Sequence, residues 1–264
     1  MDKYEAVRQM WKNYKIDSPQ SLSKYLDNYR ILFAYNSGKI ENDEVTYYDT
    51  KEIFENGKVI NYTGSPRAIF ETQNQKLCYE YLLDKIAAKE PLSIGLIKEI
   101  HAILANGTYD ERRFIVNNER PGEFKKHEYV VGRSEVGYPP EMVEEALEIL
   151  IEEINEYING SILMAAAYFH SKFEYAHPFA DGNGRCGRTL MNYYLLINDE
   201  PPIIIYDEDK AEYYEALEKY DNEEEIDSMH DFLKKQTVKT WEKSLSREKG
   251  IISQPQKKLS DMEK

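Results

Sequence analysis

Seven residues whose types can do chemistry fall inside one run of twelve: His177-Pro178-Phe179-Ala180-Asp181-Gly182-Asn183-Gly184-Arg185-Cys186-Gly187-Arg188. His177, Asp181, Gly182, Asn183, Gly184, Arg185 and Arg188 together suit one task, holding a polyphosphate and a hard cation beside a proton acceptor. An imidazole takes up a proton near neutral pH. A single carboxylate such as Asp181 is the kind of ligand that Mg2+ uses when it bridges phosphates. Gly182 and Gly184 have no side chain to keep phosphate oxygens off the backbone N–H groups. Apolar residues resume at Leu190, Met191, Tyr194 and Leu195. The run therefore enters a helix, whose free N–H groups and positive dipole end attract anions. Arg185 and Arg188, three apart on the first turn, point in similar directions and can grip phosphate in a bidentate way. Each residue alone has a bland reading as a cap, a turn glycine or a solvated arginine. The whole string at this spacing does not.

The elements that position this run are helical. Ser161 caps a helix in which Ile162, Leu163, Ala165, Ala166, Tyr168 and Phe169 leave almost no polar face, so it is predicted to be central and buried. It leads directly into the run, which gives the chemistry a rigid floor with Phe179 as a buried anchor. Ser18-Pro19 predicts a helix through Tyr25, Tyr29, Leu32 and Phe33 into Tyr35. Ser65-Pro66 predicts one carrying Leu77, Tyr81 and Ile86. Ser93 predicts one through Leu96, Ile97, Ile100 and Leu104, closed by Asn106-Gly107. From Pro140, the pairs Met142/Val143, Ala146/Leu147 and Leu150/Ile151, with Ile154 and Ile158, form one apolar stripe under a glutamate-rich face. Pro201-Pro202 ends the helix that follows the run, and further helices are predicted over about 209–220 and 225–241. Residues 107–137 are rich in turn formers and include β-prone Tyr129-Val130-Val131, which predicts a short hairpin. The fold expected is all-α, a helical core with one β-hairpin. Its organisation is an N-terminal helical region (1–60), a catalytic core (61–245) and a polar tail (246–264) without periodicity, expected to be disordered.

Composition narrows the function. The 264 residues are 41% hydrophobic, enough for a sizeable core, and carry a net charge of −14, which argues against nucleic acid as a partner. No run of about eighteen apolar residues suggests a membrane span. Residues 1–20 lack the apolar segment of a secretory signal. Cys78 and Cys186 are the two cysteines, which suits a reducing cytoplasm and gives no disulfide framework or metal cluster. His170 lies two helical turns from His177 with no third ligand in view, so it reads as a buried structural histidine, and His101 as a packed one. Cys186 sits near a helix N-terminus and two arginines, an environment that lowers a thiol pKa. No stripe stands apart as an interface, which leaves a homo-oligomer open.

The run resembles the Fic motif at every defined position: His-Pro-Phe, any residue, Asp or Glu, Gly-Asn-Gly-Arg, two of any, Arg. The resemblance implies the Fic fold and a protein adenylyltransferase that uses ATP and Mg2+. It makes His177 the base toward a Ser, Thr or Tyr hydroxyl on a target protein, with self-modification included. It implies that Asp181 holds Mg2+, that Gly182, Asn183, Gly184 and Arg185 cradle the α- and β-phosphates, and that Arg188 binds the γ-phosphate. Pro121-Gly122-Glu123-Phe124-Lys125 and Tyr129-Val130-Val131-Gly132 look like the family's flap, an edge onto which a target strand adds. By that likeness Phe124, Tyr129, Val130 and Val131 dock the target, and Lys125 stands where the family often has arginine. Residues 211–217, with Tyr213 and Tyr214, resemble the segment lining the adenine pocket. An asparagine commonly follows there, and Asp221 in its place leaves open whether another nucleoside monophosphate is transferred.

Ser37-Gly38-Lys39-Ile40-Glu41-Asn42 follows a helical segment. A glutamate at a helix C-terminus faces the negative dipole end at a cost of about 0.3–1 kcal/mol, so a cation should compensate it. The segment resembles the Fic inhibitory motif, placed N-terminal to the core as in class II members. That implies that Glu41 pairs with Arg188 over the γ-phosphate site, with Ser37 holding the helix. In some relatives this glutamate aligns a water that removes AMP instead. A non-catalytic binding module is the remaining alternative, disfavoured by the intact His177 and Asp181.

Overall fold

A computed structural model describes residues 2–59, 61–131, 134–157 and 160–253. In chain order the helices are α1 (Lys3–Asn13), α2 (Pro19–Tyr25), α3 (Asp27–Glu41), α4 (Tyr47–Asn56), α5 (Pro66–Ala87), α6 (Ile94–Leu104), α7 (Pro140–Glu156), α8 (Ile162–Ala176), α9 (Asn183–Ile197), α10 (Lys210–Glu223) and α11 (Asp227–Ser253). A π-helical turn (Arg112–Val116) precedes an antiparallel hairpin of β1 (Tyr129–Val131) and β2 (Ser134–Val136), in the register Tyr129↔Val136. The expected all-α fold with one hairpin is the one observed.

Helix α8 is the central rod, packed against α7, α9, α10 and α11. Its Leu163, Ala166, Ala167, Phe169 and Phe173 are fully buried, in keeping with its lack of a polar face. Helix α3 lies against α4, α5 and α9, which brings the N-terminal region onto the helix that follows the chemical run. One apolar cluster extends from Tyr4 and Trp11 on α1 to Trp241 and Leu245 on α11. The starts read from sequence hold because the side chains at Ser18, Ser65, Ser93 and Ser161 accept the N–H groups of Ser21, Ala68, Leu96 and Met164.

Several expectations are corrected. The single helix from Ser18 to Tyr35 is two helices, broken at Leu26 (φ −95°, ψ 6°), whose buried side chain joins the core at the break. Leu77 is exposed because the buried stripe of α5 runs instead through Glu71, Thr72, Asn74, Gln75, Cys78 and Leu82, and several of its polar members find partners inside. Met142 likewise faces solvent. Helices α1 and α4 were not foreseen. Helix α11 runs to Ser253, so 246–253 is helical rather than disordered, the helix continuing through Arg247, Glu248 and Lys249, which are good helix formers. Residues from 254 on, Gly132 and Ile158 lie outside the described residues, as do the side chains of Val130 and Val131. Among the described residues no helix is long and apolar enough to cross a membrane.

Candidate active site

The loop between α8 and α9 is shaped by Asn183. Its Oδ1 accepts the Phe179 N–H (2.8 Å) and its Nδ2 donates to the Phe179 carbonyl (2.8 Å), which closes the turn over residues 179–183. The buried Asn183 side chain is thus spent on the loop, and it is the backbone N–H that Asn183 can offer an anion. Gly182 takes the left-handed conformation (φ +79°) that the helix entry requires. Phe179 stacks on His101 at 3.6 Å. His101 Nδ1 accepts the Gly122 N–H (2.9 Å), so Nε2 carries the hydrogen and donates to the Asp181 carbonyl (2.8 Å). Burial holds this ring's pKa down at about 4, which keeps it neutral. His101 is thus a strut between the start of the flap and the loop.

His177 ends α8 in the left-handed region (φ +46°), uncommon for a residue with a side chain. The Glu174 carbonyl beside its ring favours a hydrogen on the nitrogen facing it, which leaves the other nitrogen as the acceptor. Burial, with Lys125 nearby, pushes its pKa down to about 4. The flap is pinned on both sides of this histidine. The Lys125 N–H donates to the Pro178 carbonyl (2.9 Å) and the Tyr138 N–H to the Ala176 carbonyl (3.1 Å). Gly137 (φ +81°) packs so closely that any side chain there would overlap the Ala176 carbonyl and His177 Cβ.

Cationic groups converge on the α9 N-terminus. Arg188 is almost completely buried (side chain 2% exposed). Its Nη2 donates to Glu41 Oε1 (2.7 Å) and the Ser37 carbonyl (2.9 Å), and its Nε donates to Ser37 Oγ (3.0 Å). Burial would raise the Glu41 pKa, but the charge and hydrogen bond of Arg188 outweigh it and hold the carboxyl below its ordinary value. Lys210 donates to the Ile40 carbonyl and so caps the C-terminal end of α3. Gly184 lies under the Glu41 carboxylate, which therefore sits at a helix N-terminus where an anion is favoured. Arg185 pairs with buried Glu71 (3.1 Å), while its Nε and Nη1 have no partner among the described residues. Buried N–H donors left unpaired are costly, and a phosphate oxygen would satisfy them.

Asp181 Oδ1 accepts the Gly182 N–H (2.8 Å) and Oδ2 accepts from Arg67 Nη2 (2.8 Å), with Arg113 Nη1 at 3.9 Å from Oδ2. No group of three metal-ligating side chains occurs among the described residues. A lone carboxylate fits Mg2+ arriving on phosphates, not an all-protein cage.

Three further assignments are corrected. Tyr213 is buried, with its OH bonded to His170 Nε2 (2.9 Å) and to Arg188, so it supports Arg188 from beneath and offers no wall to a base. Tyr214 and Asp221, seven residues apart, share the outer face of α10, and Tyr213 is turned about 100° away from it. Asp221 lines a cavity of about 410 Å3 with Tyr138, Tyr168, Lys172 and Tyr175. Phe124 is partly buried against the core, 5.5 Å from Phe179, and anchors the flap base instead of its docking edge. Cys186 is buried and its thiol pKa is pushed up by burial, not lowered by the helix. Tyr129 donates to buried Glu119 (2.9 Å) at the start of the hairpin.

Sequence reading missed Arg67, Glu71, Glu174 and Lys210. Arg67 and Glu71 are an i, i+4 pair inside a helix with no glycine-rich signal, and Lys210 precedes the tyrosines by one turn. Glu174 lies one turn before His177. Burial pushes its carboxyl up to about 8, and its Oε1 has no hydrogen-bond partner among the described residues.

Residues 91–195 match the Fic/DOC family. The chain is 30% identical over 194 residues to protein adenylyltransferase fic-1 of Caenorhabditis elegans, covering 71% of this chain and 36% of that one. It is 30% identical over 219 residues to protein adenylyltransferase Fic of Drosophila persimilis, covering 78% and 39%. It thus spans less than two fifths of the length of these relatives. A crystal structure of a Fic domain-containing signalling protein from Bacteroides thetaiotaomicron is similar in fold, with a TM-score of 0.80 at 22% identity, covering 94% of this chain and 97% of that chain.

Proposed function

We propose, for a chain that belongs to the Fic/DOC family, that it transfers AMP from ATP to a hydroxyl of a target protein, itself included, and is restrained by Glu41. One observation carries this reading. The Glu41 carboxylate rests on Arg188 and against Gly184 at the α9 N-terminus, an anion in the place where a terminal phosphate would be held.

In this reading the free nitrogen of His177 accepts the proton of the target hydroxyl as its oxygen attacks the α-phosphorus. The bond from that phosphorus to the β-bridging oxygen breaks, pyrophosphate leaves, and AMP stays on the target oxygen. The α9 backbone N–H groups and the unpaired Nε and Nη1 of Arg185 hold the phosphates in line. Arg188, once Glu41 leaves, holds the terminal phosphate and thereby the orientation of the chain of phosphates. Asp181 would hold Mg2+, which when bound neutralises charge building on the phosphate oxygens. The hairpin, fixed on both sides of His177, presents its edge to an extended target segment.

A second reading has its own support. The Glu41 charge favours the protonated His177 ring and its side chain is 35% exposed, which supports a role in orienting a water for AMP removal. Labelled nucleotide tests the transfer reading. With a Glu41→Gly protein, label in the α-phosphate of ATP should become protein-bound while label in the γ-phosphate should not. Retention of γ label, or of neither, would count against AMP transfer.

A further inference from the structure

The carboxylate assigned to the metal is already engaged. Arg67, on the first turn of α5, places Nη2 2.8 Å from Asp181 Oδ2, while Oδ1 is taken by the loop's own Gly182 N–H. The same guanidinium is held from its other side, with Nε donating to Glu71 Oε1 at 2.8 Å. Glu71 is 4% exposed and is itself a junction. Its Oε1 is 3.1 Å from Arg185 Nη2, and its Oε2 accepts from Asn42 Nδ2 at 3.0 Å. Asn42 is the residue after Glu41.

On the reading of Asp181 as the Mg2+ ligand, we propose that Arg67 is a gate on the metal site, a built-in cation that Mg2+ must displace from Asp181. Arg67 and Mg2+ compete for Asp181, because the guanidinium takes up a lone-pair direction of Oδ2, Oδ1 already accepts the Gly182 N–H, and two cations brought this close repel each other. The displacement is feasible. Arg67 is 41% exposed, and ion pairs at such exposure are weak enough to open when a divalent cation competes. The gate is also joined to the Glu41 lock. Glu71 holds Arg67 and Asn42 together, so withdrawal of the end of α3 removes one of the contacts that orient the carboxylate behind Arg67. Entry of nucleotide and entry of metal are thereby two restraints that share one residue. Arg113 lies farther from Asp181 and is committed to the Ala180 carbonyl (3.1 Å) and Asp110, so it supports the loop and does not block it.

The test uses the full chain with Mn2+ as the probe, its binding followed by electron paramagnetic resonance in about 0.15 M salt, where charges beyond about 8 Å are screened. An ATP analogue with a methylene group between the α- and β-phosphates is present at saturation. In a Glu41→Gly background, Arg67→Ala and the stem-preserving Arg67→Met should each tighten Mn2+ about three- to tenfold. Metal-free nucleotide affinity, measured calorimetrically with chelator, should stay within about twofold. Adding Asp181→Ala should abolish the gain. Unchanged or weaker Mn2+ binding in both Arg67 variants overturns the gate, and so does a gain that survives Asp181→Ala. If Asp181→Ala leaves Mn2+ binding unaltered even with Arg67 present, the metal assignment itself fails. The separate calorimetric arm shows whether nucleotide binding stands apart from it.

Discussion

Gly184 and Glu41 are in contact such that a methyl group at position 184 would overlap Glu41 Oε1 and crowd Arg188 Nη1 at 2.9 Å. The glycine is therefore required for close approach of an anion, and the anion now there belongs to the protein. Gly184→Ala should cost about 1–3 kcal/mol of stability, the usual range for overpacking. In a Glu41→Gly background the cost should fall by half or more, because the colliding carboxylate is gone. Chemical denaturation of the four proteins of this cycle measures the coupling, and equal costs in both backgrounds would contradict the contact.

Asn183→Ala should disable the loop without unfolding the helices. It removes both bonds to Phe179 and leaves a buried N–H and carbonyl unpaired, worth about 1–3 kcal/mol each. AMP transfer by a Glu41→Gly protein should drop at least about a hundredfold, with far-ultraviolet circular dichroism unchanged. Retained transfer would show that the turn does not depend on this side chain.

Lys210 caps the C-terminal end of the inhibitory helix, an interaction of about 0.3–1 kcal/mol. Lys210→Met should therefore raise basal AMP transfer about two- to fivefold, far less than Glu41→Gly. An initial-rate assay with labelled ATP decides, and a fall in rate would mean that Lys210 serves the nucleotide instead.

Stability should peak near pH 6.5. His101, His177 and His170 are buried and neutral, with pKa values pushed down to about 4, about 4 and about 3, so the unfolded chain binds more protons below 6.5. Glu174 is the opposite case. Its carboxyl is pushed up to about 8, so the folded chain keeps a proton that the unfolded chain has lost. Between pH 6.5 and 8 that one proton should lower stability by about 1.4 kcal/mol per pH unit. Between about 4.5 and 6.5 the three histidines outweigh it, and stability should fall as pH falls. Glu174→Gln should abolish the alkaline decline and leave the acid one, read by denaturant titration across pH.

The chemical run was legible because its residues are local. A glycine-flanked helix entry with a base, an acid and two arginines within twelve positions constrains itself. Helix starts were legible for a similar reason, since Ser65 and Ser93 cap N–H groups only three residues on. What stayed hidden depends on neighbours distant in sequence. Arg67 is 114 residues from Asp181, and nothing in its own segment points there. Helix α1 did carry a signal, with Tyr4, Val7, Met10 and Trp11 at helical spacing and all buried, as did the Thr46–Asp49 capping box of α4. In the segment expected to line the base, the sequence did not distinguish two neighbouring tyrosines. Adjacent tyrosines on a helix point about 100° apart, so Tyr213 and Tyr214 do not line the same wall.

The central claim is that Glu41 occupies the place of a terminal phosphate on Arg188, and nucleotide affinity tests it most directly. Isothermal titration of wild type and Glu41→Gly with ATP and with AMP should show ATP binding at least about tenfold tighter in the variant, and AMP, which has no terminal phosphates to compete, changed by less than about twofold. Equal gains for both nucleotides, or no gain for ATP, would place Glu41 elsewhere in the mechanism.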